Sequence, residues 1–334
     1  MPAIPLDSGR WDWRGSEPVP VTHLGRDCFR VDCPLANVTD LEPANGTLEL
    51  ELAVGPERSF PGVVWRLADD EDYESFFVRP HQVGNPDAIQ YTPVFNDVSA
   101  WQLYHGEGYW APIAFPIDAW FTIRVLFEGT RAEVFVADEL ALQVRELKLP
   151  AGPGRIGIAT GGATIHVASF ACSSVAPLGP APPPLTGPDG IVPAWDVSDP
   201  FPENDVDLAA SRSWTRLQAE TSGLANLARV HGIRDGRNTV LARAVIRSDD
   251  ARTSRMEFGF SDRAVVFLNG RPLYRGTDGY RSRDYRFLGS IGWWDSLHLD
   301  LEHGDNDLAI AVSEDFGGWG VQARFPDATG LTLG

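Results

Sequence analysis

Lysine is all but missing from this chain: Lys148 is the single lysine in 334 residues, so basic charge rests on arginine. Lysine chemistry, whether Schiff base or general base, therefore has one candidate, and its setting in "RELKLP" reads as an exposed strand end. Positive charge as a whole is scarce, with a formal net charge of -18. A nucleic-acid binder must neutralise phosphates with a basic face, and an anionic membrane makes the same demand, so neither is an expected partner. Cysteine is rare too, at Cys28, Cys33 and Cys172. The first two lie five residues apart on one extended run, which turns their side chains to opposite faces and too far apart to bridge. An odd count with no disulfide framework points to a reducing compartment, the cytoplasm. The amino terminus, "MPAIPLDSGRWDWRGSEP", has no basic segment followed by an apolar run, so it does not read as a secretory signal. No stretch approaches the roughly 18 apolar residues that a membrane helix needs.

Helical periodicity is the other absence. Before residue 174 the chain shows short alternating runs between Gly, Pro, Asn and Asp clusters: "TLELELAV", "GVVWRL", "ESFFVRP", "WFTIRVLFE", "RAEVFVA", "GRIGIAT" and "TIHVASF". In the first, Leu48, Leu50, Leu52 and Val54 share one face and Glu49 and Glu51 the other, the period-two signature of a half-buried strand. The same texture returns in "TVLARAVI", "RMEFGF", "RAVVFLNGRPLY", "WWDSLHLDL" and "DLAIAVSE", with "LNGRP" a hairpin-type turn. Only "SGLANLARVHG" could form a turn or two of helix. Between the two halves, residues 174–193 concentrate proline and read as a semi-rigid linker. The expected architecture is all-β: two antiparallel sandwiches, residues 1–173 and 194–334, joined by that Pro-rich linker.

The order "GVVWRLADDEDYESFFVRPH", "WQLYHG", "WFTIRVLFEGTRAEVFVAD", "GRIGIATGGATIHVASF" resembles the strand sequence of concanavalin A-like (laminin G-like) jelly rolls, over about residues 25–173. "VVFLNGRPLYRG" and "GDNDLAIAVSEDFGGWG" are similar to the galactose-binding-like jelly roll that accompanies β-galactosidases, over roughly 195–334. These resemblances imply a carbohydrate or similar ligand, and both folds host catalytic and purely binding members.

The residues themselves narrow the chemistry. Glu49 and Glu51 share a strand face, but Ala53 and Gly55 follow, so the three-carboxylate strand motif of the glucanase-type members is absent. "ADDEDYE" gathers Asp69, Asp70, Glu71, Asp72 and Glu74, oxygen ligands that a structural Ca2+ could take, yet without the spacing of a calcium loop. The seven histidines show no zinc-site spacing, and neither a G-x-S-x-G nucleophile elbow nor a phosphate-cradling loop occurs. No cofactor is expected.

"QYTPVFNDVSAWQLYHGEGYW", residues 90–110, interleaves aromatic rings with amides, a histidine and a glutamate. Read as strands, this stretch and "ESFFVRPHQ" bring Arg79, His81, Gln90, Trp101, Gln102, Tyr104 and His105 to the concave face of the first sandwich. Amides and guanidinium there would meet hydroxyls, and a ring would cover the apolar face of a sugar. A polar network that stabilises long loops fits the same residues. In the second half Trp293, Trp294, Phe316 and Trp319 stand beside glycines, as a binding loop or as an interdomain plug. The leading expectation is a cofactor-free protein binding a polyhydroxylated small molecule or oligosaccharide through its first domain. The alternatives are an enzyme, either a glycoside hydrolase or a cofactor-free cyclase or isomerase, and a structural or assembly module, with a homo-oligomer compatible with each.

Overall fold

The computed structural model describes residues 1–69 and 71–334. Asp70, one of the acidic residues considered for Ca2+, lies outside the described residues. Among the described residues there is no α-helix, only three single-turn 3-10 helices, and every strand pairing is antiparallel, as the alternating runs predict. The chain divides into two compact units: residues 1–94 with 105–184, and residues 95–104 with 185–334.

The first unit is built from two sheets. One runs, in spatial order, Trp11–Arg14, Leu35–Val38, Arg155–Ala159, Gly62–Leu67, Tyr73–Val78, Ile89–Phe95, Trp110–Ala111. The other runs Glu139–Val144, Arg131–Val136, Trp120–Glu128, Gly46–Ala53, Ile165–Ser173, Arg26–Val31, Val19–His23. Their apolar faces meet in one core that takes Leu48, Leu50 and Leu52 from the second sheet and Val63, Trp65, Phe76 and Tyr91 from the first. Trp65 spans the gap, with its ring centroid 6.1 Å from Phe127 and 6.1 Å from Tyr91. Strand pleating then sends the intervening residues of the first sheet to its outer face. Cys28, Cys33 and Cys172 are buried and free.

One carboxylate breaks the apolar pattern of that core. Glu74, on the inner face opposite Trp65, is completely buried and receives the Tyr91 hydroxyl (2.7 Å) and the Leu149 amide (2.9 Å). Burial raises its pKa, and the two hydrogen bonds together with the Arg66 guanidinium act against that rise. The Tyr91 oxygen in turn accepts from the Lys148 amide at 3.1 Å, tying the 147–149 segment to the sheet.

The second unit pairs a four-stranded sheet (Ala225–Asn226, Gly320–Arg324, Arg252–Ser261, Asp295–Leu301) with a larger one. The larger sheet runs Trp214–Gln218, Ala194–Ser198, Thr239–Ser248, Gly304–Ser313, Arg263–Leu268, Arg271–Thr277, and Leu331–Leu333 also pairs with Thr239–Ser248. The "LNGRP" turn forms as read, with Asn269 and Gly270 both at positive φ. Trp195, Phe258, Phe260, Ile310 and Val321 are wholly buried. At the end of the Gly304–Ser313 strand, Glu314 is also buried. Its Oε1 accepts from the Gly318 amide (2.8 Å), and burial, followed by the nearby Asp262 carboxylate, pushes its pKa up to about 8.

Two outcomes follow. Tyr91→Phe leaves a buried Glu74 oxygen without its hydroxyl donor, and urea denaturation should show a loss of about 1–3 kcal/mol; unchanged stability would show that this network is not structural. Glu314 holds its proton in the folded state up to about pH 8 but only to about 4.5 when unfolded, so its contribution is intact below 4.5 and lost as pH rises through 8. Glu314→Gln should therefore flatten the fall in stability between those pH values, and superimposable pH profiles of variant and parent would contradict the assignment.

Candidate functional site

The outer face of the first unit's Trp11–Arg14 sheet carries two cross-strand rows. In the first, Asp12 pairs with Asn37, Asn37 with Gly157, Gly157 with Val64, Val64 with Ser75, and Ser75 with Thr92. In the second, Gly62 pairs with Phe77, Phe77 with Gln90, and Gln90 with Trp110. Their sequence neighbours Ala36, Val38, Val63, Trp65, Phe76, Val78, Ile89 and Tyr91 all belong to the inter-sheet core, which fixes the direction of both rows. Gly157 is needed for close approach: a Cβ there would stand 2.0 Å from the Ala36 carbonyl oxygen.

Asn37 is the anomaly on this face. It is 0% exposed, and neither its Nδ2 nor its Oδ1 has a hydrogen-bond partner. A buried amide left this way carries an unmet desolvation cost of about 1–3 kcal/mol per group. Its cross-strand neighbour Asp12 is exposed, while Ser75 and Thr92 further along the row are buried. The rows hold a single carboxylate, Asp12, where glycoside hydrolysis uses a facing pair.

Of the residues read from the sequence, Arg79, Gln90 and His81 gather at the second row. Arg79 donates from Nη2 to Gln90 Oε1 and from Nη1 to the Asp87 carbonyl (2.5 Å), with its guanidinium 5.0 Å from the Phe77 ring centroid and 5.8 Å from that of Phe60. It is nearly fully buried, and burial brings its pKa down to about 10. The guanidinium thus braces Phe77 and Gln90 in place. The strand stops at Val78, because Pro80 has no N–H for the ladder, and His81 sits on the 3-10 turn Pro80–Gln82 instead of continuing the alternation. Its ring stands edge-on to Phe60 at 5.5 Å, and burial, then Arg58 and Arg79, lower its pKa and favour the neutral imidazole. His105 packs against Trp110 at 5.5 Å.

Trp101, Gln102 and Tyr104 lie elsewhere. The "AWQLYHG" stretch is a turn, closed by the Leu103 and Tyr104 amides donating to the Ala100 carbonyl, and its first five residues, 100–104, belong to the second unit. Gln102 donates to the Leu288 carbonyl (2.8 Å) and accepts from the Ser261 hydroxyl (3.2 Å). The Tyr104 hydroxyl donates to Glu220 at 2.5 Å, and Trp101 meets Phe316 and Tyr280 edge-on at 5.6 and 6.4 Å. The aromatic set of that unit divides as well. Trp319 is wholly buried, its indole N–H donating to the Val312 carbonyl at 3.0 Å, so it is a core anchor rather than a loop ligand. Trp293 is half-buried under the Arg324 guanidinium, whereas Trp294 and Phe316 are exposed.

The reading from sequence missed Asn37, Phe60 and Trp110. The one signal for Asn37 was a lone amide in an otherwise apolar strand, "LANV". Among the described residues no group of three or more His, Cys, Asp or Glu is placed to hold a metal ion.

No protein-family model and no curated protein matches the chain. Among solved structures it is similar to a carbohydrate binding module from Bacillus subtilis, at 12% identity over 50% of this chain and 98% of that one, with a TM-score of 0.39. It is also similar to a Bacillus licheniformis β-glucanase, at 11% identity over 49% and 92% of the two chains (TM-score 0.33). A third similarity is to chicken galectin 2, at 15% identity over 40% and 93% (TM-score 0.29).

Proposed function

We propose that the first unit binds a carbohydrate or similarly polyhydroxylated small molecule on the outer face of its Trp11–Arg14 sheet. The observation that carries this reading is Asn37, a fully buried amide whose donor and acceptor atoms are both unpartnered. A hydroxyl group is donor and acceptor at once, so vicinal hydroxyls match a carboxamide on both of its atoms. The row supports the same ligand class: Asp12 accepts, Ser75 and Thr92 do both, and Phe77 and Trp110 one row over supply flat apolar surface. Arg79 serves as a positioning residue, holding Gln90 and Phe77. With one carboxylate on the two rows, binding without hydrolysis is the form of the proposal.

The test uses Asn37→Leu, which keeps the side chain's size and removes its polar atoms. Without sugar, the variant should be at least as stable as the parent, since an unpaired buried amide disappears. For the parent, a saccharide from a panel of glucose, galactose, maltose, cellobiose and laminaribiose should raise the melting point. At a hundredfold excess over its dissociation constant it adds about 2.7 kcal/mol. Asn37→Leu should lose that shift in the unfolding transition of the first unit, and a variant that keeps the parent's shift in that transition would sink the proposal.

A further inference from the structure

The larger sheet of the second unit carries a polar and aromatic cluster on the face where its edge strand Trp214–Gln218 meets its centre. Ser198 pairs with Trp214, Asp196 pairs with both Arg216 and Arg243, and Val245 pairs with Asp307. Alternation along each strand therefore puts Asp196, Trp214, Arg216, Arg243 and Asp307 on one face. Of these, Asp196, Trp214, Arg243 and Asp307, together with Val245, line a cavity of about 400 Å³.

The contacts inside the cluster are directional. Arg243 grips Asp307 with two donors, Nε at 3.0 Å and Nη2 at 2.5 Å, and its guanidinium lies 5.2 Å from the Trp214 ring centroid. Arg216 Nη1 donates to Asp196 Oδ1 at 3.3 Å. Trp214 is nonetheless 38% exposed, and the side chains of Asp196 and Arg243 are open to solvent at 48% and 39%. Strands hold all of these groups, so their geometry is set before any ligand arrives.

We propose that this cavity is a second binding site, for an uncharged saccharide unit. Charge selects the class. Two guanidiniums are matched with two carboxylates, so a phosphate would meet Asp196 and Asp307, and an ammonium would meet Arg216 and Arg243, each at the cost of a like-charge contact. Directed hydrogen bonding is left over on both sides. A guanidinium has five N–H donors, of which Arg243 commits two nitrogens to Asp307, and the Asp196 carboxylate keeps its second oxygen beside the cavity. The exposed part of the Trp214 indole offers the flat apolar surface that the C–H face of a pyranose covers, and the cavity has the dimensions of a small-molecule site. The site is independent of Asn37 and stands or falls on its own residues.

Protein carrying 15N in its tryptophan indoles has 11 tryptophans to resolve, and Trp214→Phe assigns the Trp214 signal by its disappearance. Titration with maltose, cellobiose and lactose should move that signal saturably for at least one of them. Asp196→Asn should weaken the binding by about tenfold, the scale of one lost charge-assisted hydrogen bond. Asn37→Leu should leave the Trp214 titration unchanged, which separates this site from the one on the first unit. A Trp214 signal that no saccharide moves would overturn the proposal, as would an Asp196→Asn variant that titrates like the parent. A stronger response to inorganic phosphate or to tetramethylammonium than to the sugars would show that the site selects for charge and overturn it equally.

Discussion

The closure of two apolar sheet faces onto each other is the constraint on which the first unit depends. Leu48, Leu50 and Leu52 from one sheet and Val63, Trp65, Phe76 and Tyr91 from the other are all completely removed from water, and Trp65 reaches across to Phe127. At about 25 cal/mol for each Å² of apolar surface buried, faces of this size outweigh any preference of single outward residues. Because the pleat alternates strictly, that closure leaves Asn37, Ser75, Phe77, Gln90, Thr92 and Trp110 no direction but outward. The proposed site is therefore a by-product of core packing: a register slip of one residue would turn these side chains toward the opposite sheet and the core residues away from it.

Polar groups inside the protein fall into two kinds, and the difference separates support from function. Glu74, Arg79 and Gln102 are buried, but each has partners: the Tyr91 hydroxyl and Leu149 amide, the Gln90 side-chain carbonyl and Asp87 carbonyl, and the Leu288 carbonyl and Ser261 hydroxyl. Such groups fix conformation. Asn37 is buried without partners, and on the second unit Asp196, Arg243 and Trp214 keep hydrogen-bonding capacity and ring surface facing a cavity. Unmet capacity of this kind is what a ligand can fill.

Much of the fold was legible in the sequence. The alternation in "TLELELAV" put its leucines on one face, and the Asn-Gly pair marked the 269–270 turn. The candidate site was only half legible, for a physical reason. Strand register joins residues far apart in the chain, so nothing local reveals that Asn37, Gly157 and Ser75 lie along one row. "AWQLYHG" has the polar and apolar rhythm of a strand, yet the Leu103 and Tyr104 amides close onto the Ala100 carbonyl, and Gln102 finds its partners within the second unit to which residues 95–104 belong. Trp319 stands among glycines like a loop residue, but it is wholly buried and its indole donates to the Val312 carbonyl in the core.

If the unmet hydrogen bonds of Asn37 belong to a ligand, a crystal structure of the protein soaked with the saccharide that shifts its melting point most will show it. Sugar hydroxyls should lie within hydrogen-bond distance of both Asn37 Nδ2 and Oδ1, with a ring face against Phe77 or Trp110. An ordered water bridging Asn37 to neighbouring backbone, with the sugar bound elsewhere or absent, would contradict it.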